Sequence, residues 1–238
     1  MKLQKETESP QAAHGRWYED ACGTAFAMEL IGERWSLLII RELMLGGRRF
    51  SDLRASLPGI SAKVLTERLS KLEEEGILIH RKLPPPAAAQ IYELTQWGYL
   101  TEPLMQELGR WATRSPDHNP QLPLTPVSLM LSMRTMLSPE AARGVHAKVG
   151  FAVGGEEFVA ELADGALPIR RGDVREGDAV FRTSAPLPLL RVFYGHQPLE
   201  DVEASTDLVV EGDRDVARRY AACFALPPKI DRADIRPG

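Results

Sequence analysis

GISAKVLTERLSKLEEEGILIHRK, Gly59 to Lys82, reads as a turn, one amphipathic helix, a glycine stop and a short strand that ends in basic residues. On a helical wheel Leu65, Leu69 and Leu72 fall within about 60° of one another, while Lys63, Glu67, Ser70 and Glu74 lie opposite. One face is built to pack and the other is offered outward. Ser61 suits the N-cap, although Val64 at N3 means there is no capping box. Gly76 suits the left-handed C-cap.

On the N-terminal side, Cys22 to Ile31 has the spacing of a short helix. GERWSLLIIRELMLGG follows with Trp35, Leu38, Ile39, Leu43 and Leu45 on a helical period and a glycine pair as its stop. RRFSDLRASLPG gives another short helix, with Ser51 as its expected N-cap, before the Pro58–Gly59 turn. On the C-terminal side, Ile77 to Arg81 reads as a strand, PPPAAA as a loop tip and Gln90 to Leu94 as the returning strand. Thr95 to Arg114 then predicts one helix carrying Leu100, Leu104, Leu108 and Trp111. Helix, helix, short helix, turn, helix and β-wing is the order of a winged helix-turn-helix, whose second motif helix can enter the DNA major groove.

The chain has 238 residues, 44% hydrophobic and 26% charged, with a net charge of −4, enough for one large core or two modest ones. The deficit lies in the second half, whereas Arg34 to Lys82 holds 10 basic residues against 6 acidic ones. A basic island in an acidic chain points to a polyanionic partner only if it is placed on one surface. No apolar run reaches the roughly 18 residues of a membrane span, and MKLQKETESPQAAHG has no signal-peptide stretch, so a cytoplasmic protein with a polar tail over residues 1–16 is expected. Cys22 and Cys223 lie in different halves and offer neither a disulfide framework nor metal-ligand spacing.

The separated pieces I-G-x-x-W, G-x-R-R-F-S-D-L, P-G-I-S-x-K-V-L-T-x-R-L, L-E-E-x-G-I and Y-x-L-T-x-x-G, together with the early Cys22, resemble the HxlR-type transcription regulators. The resemblance implies a homodimer on a pseudo-palindromic operator, with the terminal helices of this domain forming the interface. Ser61, Ala62, Lys63, Thr66 and Glu67, at the exposed start of the recognition helix, are the candidates for base edges; Arg48, Arg49, Arg81 and Lys82 are the candidates for phosphates. Arg68, on the flank, suits an ion pair as well as it suits DNA. The wing tip carries no charge. Some members of the resembling family sense oxidants or electrophiles through a cysteine placed like Cys22; the alternative is a small buried hydrophobe, which the absence of a neighbouring cation favours.

TRSPDHNPQLPLTP, with four prolines, marks a linker, giving a winged domain over residues 17–115, a linker over 116–126 and a second domain over 127–238. In the second domain SLMLSMRTML and SPEAARGV predict helical pieces, the latter capped by Ser138, and HAKVGFAV, EFVAEL and DAVFRT predict strands with turns at Gly154–Gly155 and Asp164–Gly165. PLPLLRVFYG reads as a helix, DLVVEG as a strand and DRDVARRYAACFAL as a closing helix. The fold class is α+β: a winged helix-turn-helix, then a small, mostly antiparallel sheet covered by helices. From Glu161 to Phe224 the order of pieces looks like the sterol-carrier-protein-like fold. That resemblance implies a five-stranded sheet and a hydrophobic tunnel, with Phe158, Phe181, Leu187, Leu190, Phe193, Leu208 and Phe224 as candidate lining for an apolar effector. No phosphate-binding glycine loop, nucleophile elbow or His/Cys cluster appears, so no enzyme, metal or cofactor is expected. The expected protein is a dimeric regulator whose second domain either binds an apolar effector or extends the dimer.

Overall fold

The computed structural model describes residues 18–85 and 89–235. The expected tail over residues 1–16 and the centre of the wing tip, 86–88, lie outside them. α1 (Gly23–Ile31), α2 (Ser36–Leu43), α3 (Phe50–Ser56) and α4 (Ala62–Glu74) lead into an antiparallel ribbon of β1 (Leu78–Lys82) and β2 (Gln90–Leu94). A backbone bridge from Arg48 to Tyr92 adds a third element to that ribbon. Leu65, Leu69 and Leu72 of α4 are all buried, as their spacing requires; removing such a side chain from water contributes roughly 1.5–3 kcal/mol. Gly76 ends α4 at φ +69°, a conformation that L side chains rarely adopt.

Three local expectations are corrected here. Trp35 is not helical: it is the N-cap of α2 at φ +82°. Ser51 lies inside α3, whose N-cap is Arg49. The single helix expected over Thr95–Arg114 is broken into α5 (Gln96–Tyr99) and α6 (Glu102–Thr113), because Pro103 has no N–H to give to the preceding turn. Thr95 secures the start of α5. Its hydroxyl donates to the Gly76 carbonyl at 2.7 Å and accepts from the Gly98 amide at 3.1 Å. Gly98 comes so close to the end of α4 that a Cβ would collide with the Ile77 carbonyl oxygen, which accounts physically for the Y-x-L-T-x-x-G motif.

α7 (Pro126–Met136) begins the second region, with the Thr125 hydroxyl accepting from the Ser128 amide as its cap. β3 (Ala147–Val153), β4 (Glu156–Leu162), β5 (Ile169–Arg171), β6 (Ala179–Thr183), α8 (Leu187–Phe193), α9 (Leu199–Ser205), β7 (Val209–Gly212) and α10 (Arg214–Ala221) follow. The sheet order is β5-β4-β3-β6-β7, antiparallel except for β3 beside β6. SPEAARGV forms turns rather than a helix; the Ser138 hydroxyl holds one of them by accepting from the Ala141 amide. Phe151 and Phe181 project from the same face of the sheet onto Phe193, Tyr220 and Phe224, with ring centroids 5.0 to 6.1 Å apart. Aromatic pairs at such spacings add to the stabilisation from area burial alone.

Helices α2 and α6 of the first region pack on α7, and one hydrophobic cluster runs through both regions. Polar contacts reinforce the junction. Glu42, fully buried, accepts from Arg41 at 2.9 Å and from the Thr125 hydroxyl at 2.8 Å. Arg48 pairs with Glu156 at 3.1 Å and lies 3.6 Å from Glu42, while Arg171 reaches the Leu45 carbonyl at 3.1 Å. Arg134 binds Glu102 at 2.7 Å, and Arg110 donates to the Thr135 carbonyl at 3.0 Å. Near the C-terminus, Lys229 donates to the carbonyls of Thr113, Ser115 and His118, closing the end of α6.

Candidate nucleic-acid interface

α3, the Pro58–Gly59 turn and α4 set the second motif helix with its leucines inward, so its other face is turned to solvent. Ser61 accepts from the Val64 amide at 3.2 Å and caps the helix as its sequence position implies. Ser61, Lys63, Thr66, Glu67 and Ser70 are exposed along one side, and Ala62 is half-buried between them. Lys63 has 86% of its side chain exposed, and its ammonium is 3.9 Å from the Glu67 carboxylate in the next turn. An exposed pair of this kind contributes little to stability, so both groups can exchange partners at low cost. The Thr66 hydroxyl donates to the Ala62 carbonyl at 3.0 Å, which fixes its rotamer. Its exposed methyl suits an apolar contact with a thymine methyl. The face therefore offers a cation, an anion, hydroxyls and a methyl.

The four arginines and lysines expected on phosphates separate. Arg49 at the start of α3, and Arg81 and Lys82 on β1, are exposed. Arg81 shares its guanidinium with Glu93 at 2.6 Å. Arg48 is a correction: only 10% of its side chain is exposed, and it is held between Glu42 and Glu156. It bridges to Tyr92 as an extended residue, so its side chain points away from that of its neighbour Arg49. Arg68 is an internal tie, paired with Glu33 at 2.8 Å and donating to the Arg34 carbonyl at 3.2 Å. Arg54, exposed on α3, was not singled out from the sequence; its place three residues after Ser51 on a short helix was the available signal. His80 stacks on Tyr92 at 4.4 Å and stiffens the wing.

Cys22 is exposed at the N-cap of α1, which corrects the expectation that it packs as a small hydrophobe. Hydrogen bonding from the Ala25 amide, and then from Thr24, lowers its pKa below the usual thiol value. Cys223 is buried, and burial raises its pKa. Of the candidate lining residues, Phe158, Phe181, Phe193, Leu208 and Phe224 are buried in the second region's core and Leu190 nearly so, whereas Leu187 is 45% exposed on the outside of α8. Among the described residues no group of three or more His, Cys, Asp or Glu side chains could hold a metal ion, and no helix is long and apolar enough to cross a membrane.

Residues 30–120 match the family described as HxlR-like helix-turn-helix. Over 87 residues the chain is 38% identical to the HTH-type transcriptional regulator YvaP of Bacillus subtilis (strain 168), which spans 37% of this chain and 81% of that protein. It is 41% identical over 86 residues to the HTH-type transcriptional regulator YodB of the same organism, spanning 36% and 77%. Among solved structures, quinone-bound YodB from B. subtilis is 37% identical and covers 37% of this chain and 93% of that one, with a TM-score of 0.33.

Proposed function

Because the chain belongs to the HxlR-like helix-turn-helix family of transcription regulators, we propose that it binds a specific operator as a homodimer and that its second region modulates this binding in response to an apolar small molecule. The observation that carries the reading is the solvent-facing row Ser61, Lys63, Thr66 and Glu67 on a helix whose opposite face is buried. In this reading those residues and Ala62 meet base edges, and Arg49, Arg81 and Lys82 hold phosphates. Residues 17–115 bind DNA in this reading and residues 127–238 regulate the binding.

Dimer formation is supported by an apolar face on α6, where Leu104, Leu108 and Trp111 are exposed, and by Met28 on α1. Contiguous exposed apolar residues of this size mark association surfaces. Two recognition helices must sit about 34 Å apart to read successive half-sites, so anything that shifts α6 against the second region changes operator affinity, provided it binds the two arrangements unequally. The second region is proposed as a sterol-carrier-like module, a reading supported by its five strands and by α8 and α10 over one face.

Fluorescence anisotropy tests the DNA reading, using DNA from upstream of the protein's own gene, unrelated competitor DNA and a salt series. Competitor-resistant binding that falls steeply with salt, and that Lys63→Ala weakens, is expected. Equal, weak binding to both DNAs across the regulated region would overturn it.

A second reading is favoured by the exposure and lowered pKa of Cys22. Here its thiolate adds to an electrophile, or is oxidised and joined to the partner copy's equivalent thiol, and the second region is purely structural. A Cys22→Ser protein that keeps its full response to diamide would remove this reading.

A further inference from the structure

α2, α6 and α7 flank a solvent-open cleft of about 460 Å³ at the junction of the two regions, with the part-exposed Leu38 and Leu108 in its lining; its size is inside the roughly 300–1,000 Å³ range of small-molecule pockets. Leu37, Met105, Leu124, Leu131 and Met136 supply apolar walls. The charged side chains that border it are already matched, Arg41 by Glu42 and Glu102 by Arg134. His118, in its lining, has its pKa lowered by burial and by the nearby Lys229. Hydrogen-bonding capacity remains at Gln106 and at Ser132; Ser132 also borders an adjoining pocket of about 390 Å³, where its hydroxyl lies 2.7 Å from that of Tyr194.

Gly109 lies within α6 on the wall of this cavity. Glycine in a helix interior is destabilising relative to alanine. Packing does not demand it here: a Cβ would meet nothing nearer than the Thr135 methyl at 3.8 Å, an ordinary contact. What the missing side chain preserves is open volume. The far wall, α7, lies beyond residues 30–120, so the cleft needs this chain's second region and is not built by the family-matched segment alone.

We propose that this junction cavity is the effector site, taking one uncharged, largely apolar small molecule that carries a hydrogen-bonding group. Its regulatory consequence rests on the DNA-binding reading above; its occupancy does not. A molecule seated there touches α2, which carries the Glu42 end of the clamp to the wing, and α6, which carries the apolar association face. It therefore discriminates between arrangements of the two elements that set the spacing of the recognition helices. The core of the second region, filled by interlocked aromatic rings, is left to stabilise the sheet.

The test titrates the full chain with N-phenyl-1-naphthylamine, a neutral fluorescent probe, alongside thermal unfolding and sedimentation. Saturable binding of one probe per chain is expected, weakened at least tenfold in Gly109→Leu and unchanged in Arg143→Ala, an exposed position outside the cleft. Should Gly109→Leu fail to fold, Ser128→Phe fills the same space from α7. Absence of saturable binding to the wild-type chain, or undiminished binding to a folded cavity-filling variant, overturns the proposal. So does the result expected if a second copy occupies the groove: a wild-type dimer that takes up no probe and falls apart in Gly109→Leu. Probe binding by a chain that shows no operator preference would leave the cavity assignment standing and sink the regulator reading, whereas operator binding without probe binding would do the reverse.

Discussion

Replacing Arg48 by methionine separates the role the structure gives this residue from the phosphate contact that its sequence neighbourhood suggests. Methionine keeps the aliphatic stem and removes the guanidinium that lies 3.1 Å from Glu156 and 3.6 Å from the wholly buried Glu42. Breaking a buried pair by deleting one partner costs about 3–5 kcal/mol, because the remaining charge is left desolvated. Here the lower end applies: Glu42 keeps Arg41 and Thr125, and Glu156 keeps Arg171. With a urea slope of about 3 kcal/mol per molar, a loss of about 3 kcal/mol moves the unfolding midpoint down by roughly 1 M. The salt dependence of operator binding, measured below the unfolding range, is expected to keep its slope. Arg49→Met is the control, leaving stability within about 0.5 kcal/mol and reducing the salt slope by about 0.9 for the lost phosphate. An Arg48→Met protein as stable as wild type, with a salt slope lower by that amount, would refute the reasoning.

Leu104→Asp places a charge on the exposed face of α6 and is expected to yield folded monomers in sedimentation, since Leu104 is 53% exposed, with an unfolding temperature that no longer rises with protein concentration. The lowered pKa of Cys22 means that its thiolate persists to lower pH than an ordinary thiol does, so the midpoint of its iodoacetamide alkylation rate against pH falls below that of a cysteine peptide; Cys223 remains unlabelled until the chain unfolds. Asp207, held below the usual carboxylate pKa by hydrogen bonds from Ser184 and Thr183, contributes stability that is fully present above the unfolded-state value near 4 and is lost as pH falls through its folded value. Asp207→Asn accordingly flattens the acid limb of an unfolding curve below pH 4 and lowers stability above it.

The recognition helix was legible because three leucines and a capped, glycine-terminated frame agree with one another, and each clue is local. The alternation within HAKVGFAV, EFVAEL and DAVFRT likewise announced strands, and all three pair in one sheet. Periodicity could not say what covers a stripe: Leu104, Leu108 and Trp111 repeat like core residues, yet in this chain they face outward. Nor could composition separate Arg48 from Arg49. Adjacent residues in extended backbone point to opposite sides, so the two carry the same charge into different environments. Pro103 was visible, but its effect depended on the carbonyl it failed to meet, and SPEAARGV was too short for a helical period to outweigh Gly144 at φ +71°. The junction cavity was invisible because its walls come from helices separated by the linker.

Lys229 and the Ile230 amide supply the hydrogen bonds that finish α6, through the carbonyls of Thr113, Arg114, Ser115 and His118. During synthesis the winged unit leaves the ribosome more than a hundred residues ahead of that cap. The helix that carries the apolar association face therefore stays unfinished at its last turn until nearly the whole chain has been made. The connectivity thus ties the completion of α6 to the last stretch of the polypeptide, which must return to it across the whole second region.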